Sequence, residues 1–366
     1  MAVAACTSTD VGVTASRSEA ITTTTTTTTS VPVAVPDPPD PAEPAPTEPV
    51  ASEPDVGRQS TIPKDDSRVP DDVATDVPDM GGEQPPLTQA EIDVLLADLA
   101  AQGFCDPDDV RDDGIVTAMH FVVQGQLQSP CYVDQLGEGD DVDPVVIDDD
   151  PRLVAAWESL VAITPIELVS DISLVAGYEP CSTCDTLAFV TTLDDESTFF
   201  LLAVDVVSGT DDPEELRLTM MHELSHVFNQ KPGEQLDIGV SSAAGCDTFF
   251  NGAGCFTRGS YMWAWIQEFW PPEIRDTLPS DGSVGTPEEA SERCDLDAGY
   301  VGSYAAVHPE EDFAETFSAY VYDVVVDPAL ADKYAFFDRY PEFVSIRESA
   351  RELGLAGTEA NFEGCG

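Results

Sequence analysis

His222-Glu223-Leu224-Ser225-His226 is the stretch of this 366-residue chain whose residue types and spacing could do chemistry. Histidines four apart share one face of a helix, so both imidazoles can reach one ion. Zinc accepts neutral imidazole nitrogen, at about 2.0–2.1 Å. A glutamate directly after the first histidine can serve as general base toward a water at such an ion. The chain has only four histidines, His120, His222, His226 and His308, so abundance does not explain the pair. The competing reading is a surface helix with two solvated imidazoles. A catalytic zinc needs a third protein ligand. An extended motif would supply a histidine at 232 after a glycine at 229, but Asn229 and Pro232 stand there. The third ligand must come from elsewhere.

The best source is His308-Pro309-Glu310-Glu311-Asp312-Phe313-Ala314-Glu315, where proline and acids mark a helix start. Glu311 and Glu315 are four apart on a helix otherwise apolar at Phe313, Phe317, Tyr320, Val321 and Val324. One carboxylate can bind zinc while the other hydrogen-bonds a ligand histidine and fixes its tautomer. Glu310 and Asp312 read as acids complementing the helix dipole. His308 either caps this helix or donates to an oxyanion. Glu234 and Glu268 are the alternative acids for the third ligand.

The elements that must position these residues follow from pattern. Thr88 with Glu91 forms a capping box for a helix through Ile92, Leu95, Leu96 and Leu99. Strands are expected at Ile115–Val123, Ile166–Ala176, Thr186–Leu193 and Thr198–Val207, all rich in β-branched or aromatic residues. Leu153–Val161 suits a helix. Asp212-Pro213-Glu214-Glu215 opens the histidine helix, which should stop before Pro232-Gly233. Helices are expected again at Tyr261–Trp270, Pro309–Val326 and Pro341–Leu353, with loop from the first of these to about Ser303. Phe249, Phe250, Phe256, Trp263 and Trp265 are assigned to the core rather than to a cleft. The fold class is α+β, with a mainly helical C-terminal part.

The histidine motif with a distant Glu-x-x-x-Glu helix resembles the gluzincin metallopeptidases. More narrowly, Tyr304 seven residues before Glu311, with Glu311-Asp312-Phe313-Ala314-Glu315, is similar to the catalytic domain of the anthrax lethal factor type and to bacterial zinc peptidases with such a segment. The resemblance covers about residues 198–230 and 300–325. It implies a zincin-like fold, a small twisted sheet over an active-site helix. It also implies Glu311 as third zinc ligand, Glu315 hydrogen-bonded behind a ligand, and Tyr304 as a donor to the transition state.

Charge and cysteines bound the setting. The chain has 70 acidic against 15 basic residues, net −55. Residues 1–86 hold 15 acids and 4 bases, which leaves −44 on the other 280 residues. Such a surface repels phosphate backbones, so nucleic acid is excluded as a partner. It could attract Ca²⁺ at Asp106–Asp113 or Asp140–Asp150, but the EF-hand pattern is absent and solvated loops are expected. Residues 7–86, with the run Thr22–Thr29 and many prolines, read as a disordered linker. Val3-Ala4-Ala5-Cys6 resembles a bacterial lipobox, which makes Cys6 a candidate lipidation site. Eight further cysteines in residues 105–365 suggest disulfides and export. Chain neighbours suggest Cys105–Cys131, Cys181–Cys184, Cys246–Cys255 and Cys294–Cys365, although connectivity is not deducible from sequence. The expected organisation is linker 1–86, an N-terminal part 87–150 and a peptidase domain 151–366. The expected function is an exported, lipid-anchored zinc metallopeptidase acting on peptides or proteins, with Glu223 as base. The alternative is a non-catalytic acidic surface protein that binds a partner or calcium.

Overall fold

The computed structural model describes residues 87–110, 113–133, 149–181, 184, 186–194, 198–279, 281–296, 299–324, 328–358 and 362. Cys6, the threonine run, the proline-rich segment and Asp140–Asp148 lie outside the described residues. The elements run in the order α1 (Gln89–Ala101), β1 (Gly114–Val123), β2 (Gln126–Val133), α2 (Pro151–Val161), α3 (Ile166–Val169), β3 (Ile172–Pro180), β4 (Ala188–Thr192), β5 (Phe200–Asp205), α4 (Ser208–Asp211) and α5 (Pro213–Asn229). There follow β6 (Leu236–Asp237), β7 (Cys255–Phe256), α6 (Tyr261–Phe269), α7 (Pro272–Arg275), α8 (Pro287–Leu296), α9 (Pro309–Val321), α10 (Ala331–Phe337) and α11 (Pro341–Glu352). The architecture is mixed α+β, with one small sheet and several helices.

Local chemistry sets the starts of these elements. At α1, the Glu91 carboxylate accepts from the Thr88 N–H at 2.8 Å and from its hydroxyl at 2.7 Å. Gln124 and Gly125, both at positive φ, make the two-residue turn between β1 and β2. Two expectations need correction. Ile166–Val169 is a helical turn and not strand, and β3 starts at Ile172. The β-branched residues point to strand, but Pro165 presets a turn closed by the Leu168 N–H on the Pro165 carbonyl. The expected loop up to Ser303 contains α7 and α8 instead, each opened by proline followed by acids. Their sparse apolar residues hide the helical period. α10 was likewise not expected.

The sheet order is β2-β1-β3-β5-β4. β3 and β5 are parallel, and the other neighbours are antiparallel. Strands from both sides of residue 150 therefore share one sheet. Side chains alternate between its faces. Ile172, Val175, Leu202 and Val204 belong to the core shared with α2 and α5, on which α9 packs in turn, while Leu174, Ala176, Tyr178, Leu201 and Ala203 belong to a second core with Leu99 of α1. Disulfides join Cys105 to Cys131, Cys181 to Cys184 and Cys246 to Cys255, the pairings expected from chain proximity. Cys294 is disulfide-bonded, and Cys365, its expected partner, lies outside the described residues. Such bonds belong to an oxidising, extracellular-type environment. Among the described residues no helix is long and apolar enough to cross a membrane.

Candidate metal centre

α5 owes its start to Asp212, whose carboxylate accepts from the Glu215 N–H at 3.1 Å, and to Pro213 in the first turn. Every residue from Leu218 to Asn229 is buried, with β4 and α9 packed against the helix. α9 is buried along its whole length, Pro309 to Val321. Phe313 and Phe317 hold it in an aromatic cluster with Phe228, Trp265, Phe337 and Phe343. The solvated-helix reading of His222 and His226 is thereby excluded.

Asp312 fixes the rotation of α9. It is fully buried, and accepts from the indole N–H groups of Trp265 and Trp270 at 3.0 and 2.9 Å and from Lys333 Nζ at 2.5 Å. The Lys333 ammonium lies 4.7 Å from the Tyr300 ring centre and 5.4 Å from that of Trp265. Burial pushes the Asp312 carboxyl upward, against the pull of Lys333. With Asp312 turned toward α6 and α10, Glu311 and Glu315 face α5.

Three buried ligand atoms converge there. His222 Nε2 lies 3.0 Å from Glu311 Oε2 and 3.1 Å from His226 Nε2, and His226 Nε2 lies 3.6 Å from Glu311 Oε2. His222 Nδ1 faces Glu315 Oε1 at 3.5 Å. That partner places the imidazole proton on Nδ1 and leaves a lone pair on Nε2. Atoms at this separation need a shared proton or a metal cation among them, since bare lone pairs would repel. Tetrahedral bonds of about 2.0–2.1 Å require ligand atoms about 3.3–3.4 Å apart, so the set fits zinc. Among the described residues this is the one group of three such ligands. Neither Glu234 nor Glu268 belongs to it: they pair with Lys231 and Arg339.

The electrostatics of these side chains show the same demand for positive charge. Burial pulls the His222 imidazole down, but hydrogen bonds to Glu311 and Glu315 outweigh it and hold the group well above its ordinary value. For Glu311, burial pushes upward, and the charge of His226 and the hydrogen bonds from both imidazoles hold the carboxyl well below the usual range. Burial raises Glu223 despite the two histidines. Glu223 Oε2 accepts from the main-chain N–H of Val190 at 3.1 Å, which ties it to β4, an edge strand.

Other residues stand around the centre. Glu310 and Asp312 stand in the first turn of α9, where acids complement the dipole, and both are buried there. Asn251 Nδ2 donates to Glu310 Oε1 at 3.1 Å, and burial raises that carboxyl to about 7. Asn251 sits in the loop closed by Cys246–Cys255. Phe249 of the same loop packs against the core, on Phe256 and 5.5 Å from the His308 ring. Phe256 and Trp265 are core, as expected. His308 caps α9: its Nδ1 accepts from the Glu310 N–H at 3.4 Å. Burial lowers its pKa to about 4. Among the described residues no partner reaches its buried Nε2. The Tyr304 ring lies 6.1 Å from that of His222.

No protein-family profile matches the chain, and no curated protein matches it. Among solved structures, a candidate zinc-binding metallo-peptidase of Bacteroides caccae ATCC 43185 is similar at 14% identity, with 60% of this chain and 82% of that one covered, at a TM-score of 0.30. A likeness of that degree falls short of a shared fold, and the case for the centre stands on its own geometry.

Proposed function

We propose that this chain is an exported zinc metallopeptidase of zincin type, with His222, His226 and Glu311 as ligands and Glu223 as general base. The observation that carries the reading is the buried convergence of three potential ligand atoms beside a carboxylate, Glu223, that is not one of them. A purely structural zinc site has no use for that carboxylate. Bound zinc supplies Lewis acidity, which polarises a carbonyl and makes water acidic near neutral pH.

The protein's residues do the rest. The Val190 N–H anchors Glu223 Oε2, and Oε1 takes the proton of the attacking water and passes it to the leaving amine. Glu315 keeps the His222 proton on Nδ1. His308 has its proton on Nε2, because Nδ1 accepts from the Glu310 N–H, and it or Tyr304 donates to the oxyanion. β4 is an edge strand, and an extended peptide can pair with such an edge through main-chain hydrogen bonds. Residues 151–366 would form the peptidase unit and 87–150 its N-terminal part. Residues 1–86 would link it to a lipid on Cys6.

Zinc analysis with a diverse peptide library tests the reading. The parent should hold one zinc per chain and cleave. Glu223→Gln should keep the metal and lose about 10²–10⁴-fold in turnover. His226→Ala, with two ligands left, should lose metal and turnover together. A zinc-loaded parent that cleaves nothing would make the chain an acidic binding protein with a structural metal.

A further inference from the structure

Arg293, near the end of α8, is 1% exposed, and its guanidinium is used on uncharged acceptors. Nε donates to the Ala306 carbonyl at 2.5 Å, Nη2 to the Val307 carbonyl at 3.1 Å and Nη1 to Thr277 Oγ1 at 3.3 Å. The two carbonyls belong to a tight turn. The Ala306 N–H donates to the Ser303 carbonyl at 3.2 Å and the Val307 N–H to the Tyr304 carbonyl at 3.0 Å. One end of this turn carries Tyr304 toward His222, and the other runs into His308, the cap of α9. Both candidate oxyanion donors thus sit on a segment held through its carbonyls by one side chain.

Space for that side chain is reserved at Gly285. A Cβ built there would lie 2.2 Å from Arg293 Nη2 and 3.1 Å from the Val307 carbonyl oxygen, and the Gly285 N–H donates to the same carbonyl at 3.2 Å. Burying a guanidinium opposes folding strongly unless its hydrogen bonds are well made. A flexible apolar side chain could fill the same volume. What only arginine offers is a rigid planar fork that holds two successive carbonyls at fixed angles.

We infer that Arg293 is a positioning residue, which sets the turn Ser303–His308 and thereby aims Tyr304 and His308 at the metal-binding face of α5. This rests on the peptidase reading for its catalytic consequence and on geometry alone for its structural one. Arg293→Lys keeps the charge and loses the fork, Gly285→Ala displaces the guanidinium by contact while Arg293 itself is kept, and Arg293→Gly leaves a hole that free guanidinium ion can enter. In each, the zinc ligands are untouched, so one zinc per chain is expected. Hydrogen exchange on metal-free protein should speed up at the 306 and 307 amides by about ten-fold or more, with α5 and the body of α9 unchanged. On a peptide that the parent cleaves, kcat should fall on the order of 10²-fold, as for a misplaced catalytic group. KM should stay within about two-fold. Guanidinium ion should restore turnover to Arg293→Gly alone. If that variant does not fold, Gly285→Ala decides. Unchanged exchange at 306 and 307 overturns the inference, and so does faster exchange with unchanged kcat. Should the parent cleave nothing, the peptidase reading falls by itself, and exchange still decides whether Arg293 sets the turn.

Discussion

His308 caps α9 with a buried imidazole, and its titration is readable in stability. The unfolded group titrates near 6.5, while burial holds the folded group to about 4. The folded state therefore resists a proton that the unfolded state takes up. The resulting stability is fully present above about pH 6.5 and drains away as pH falls toward 4. His308→Asn keeps a capping side chain but removes the titration. Between pH 7 and pH 4.5 its melting temperature should fall less than the parent's, and an equal fall would place the acid sensitivity elsewhere. Glu315→Gln should weaken zinc binding by about 10–100-fold in a chelator competition, since its contact with His222 Nδ1 orients a ligand. Unaltered affinity would reduce Glu315 to packing. At this scale, the facing pairs His222 with His226 and Glu311 with Glu315 could be picked from sequence, because i,i+4 spacing specifies a shared face. Spacing does not say what stands opposite a face. The dipole reading of Glu310 and Asp312 accordingly gave no hint of their buried partners Asn251 and Lys333, and the Val190 N–H that holds Glu223 had no sequence signal at all.

α9 is held in rotation by a buried ion pair, and cutting one partner should show it. Lys333→Met leaves the Asp312 carboxylate buried with two indole donors and no cation. Breaking such a pair costs about 3–5 kcal/mol. A melting-temperature drop of several degrees is expected. The double change Asp312→Leu with Lys333→Met should be less harmful than Lys333→Met alone, because no orphaned charge remains. Additive losses would refute the coupling. Lys333 is one of only three lysines in the chain, which was a usable hint of special employment. Long periodic or well-capped elements were legible: α1, α5, α9 and α11 begin where their caps or prolines say. The short ones were not. α3 has strand-like composition but a turn's hydrogen bonding, and α8 has too few apolar residues to show a period.

Across the whole molecule the governing term is charge. With −44 on residues 87–366, this part of the chain repels itself. Raising sodium chloride from about 0.01 M to about 1 M shortens the Debye length from roughly 30 to 3 Å. The melting temperature should climb across that range, and a flat or falling curve would mean that the acids are neutralised locally. The centre's construction has a further consequence in the order of synthesis. His222, Glu223 and His226 leave the ribosome together, whereas Glu311 follows 85 residues after His226. A nascent chain short of Glu311 owns the base and two imidazoles but not the carboxylate that completes a three-ligand catalytic site. In the proposed enzyme, a truncated or stalled chain is unarmed, and the cell that makes it is shielded until both helices exist.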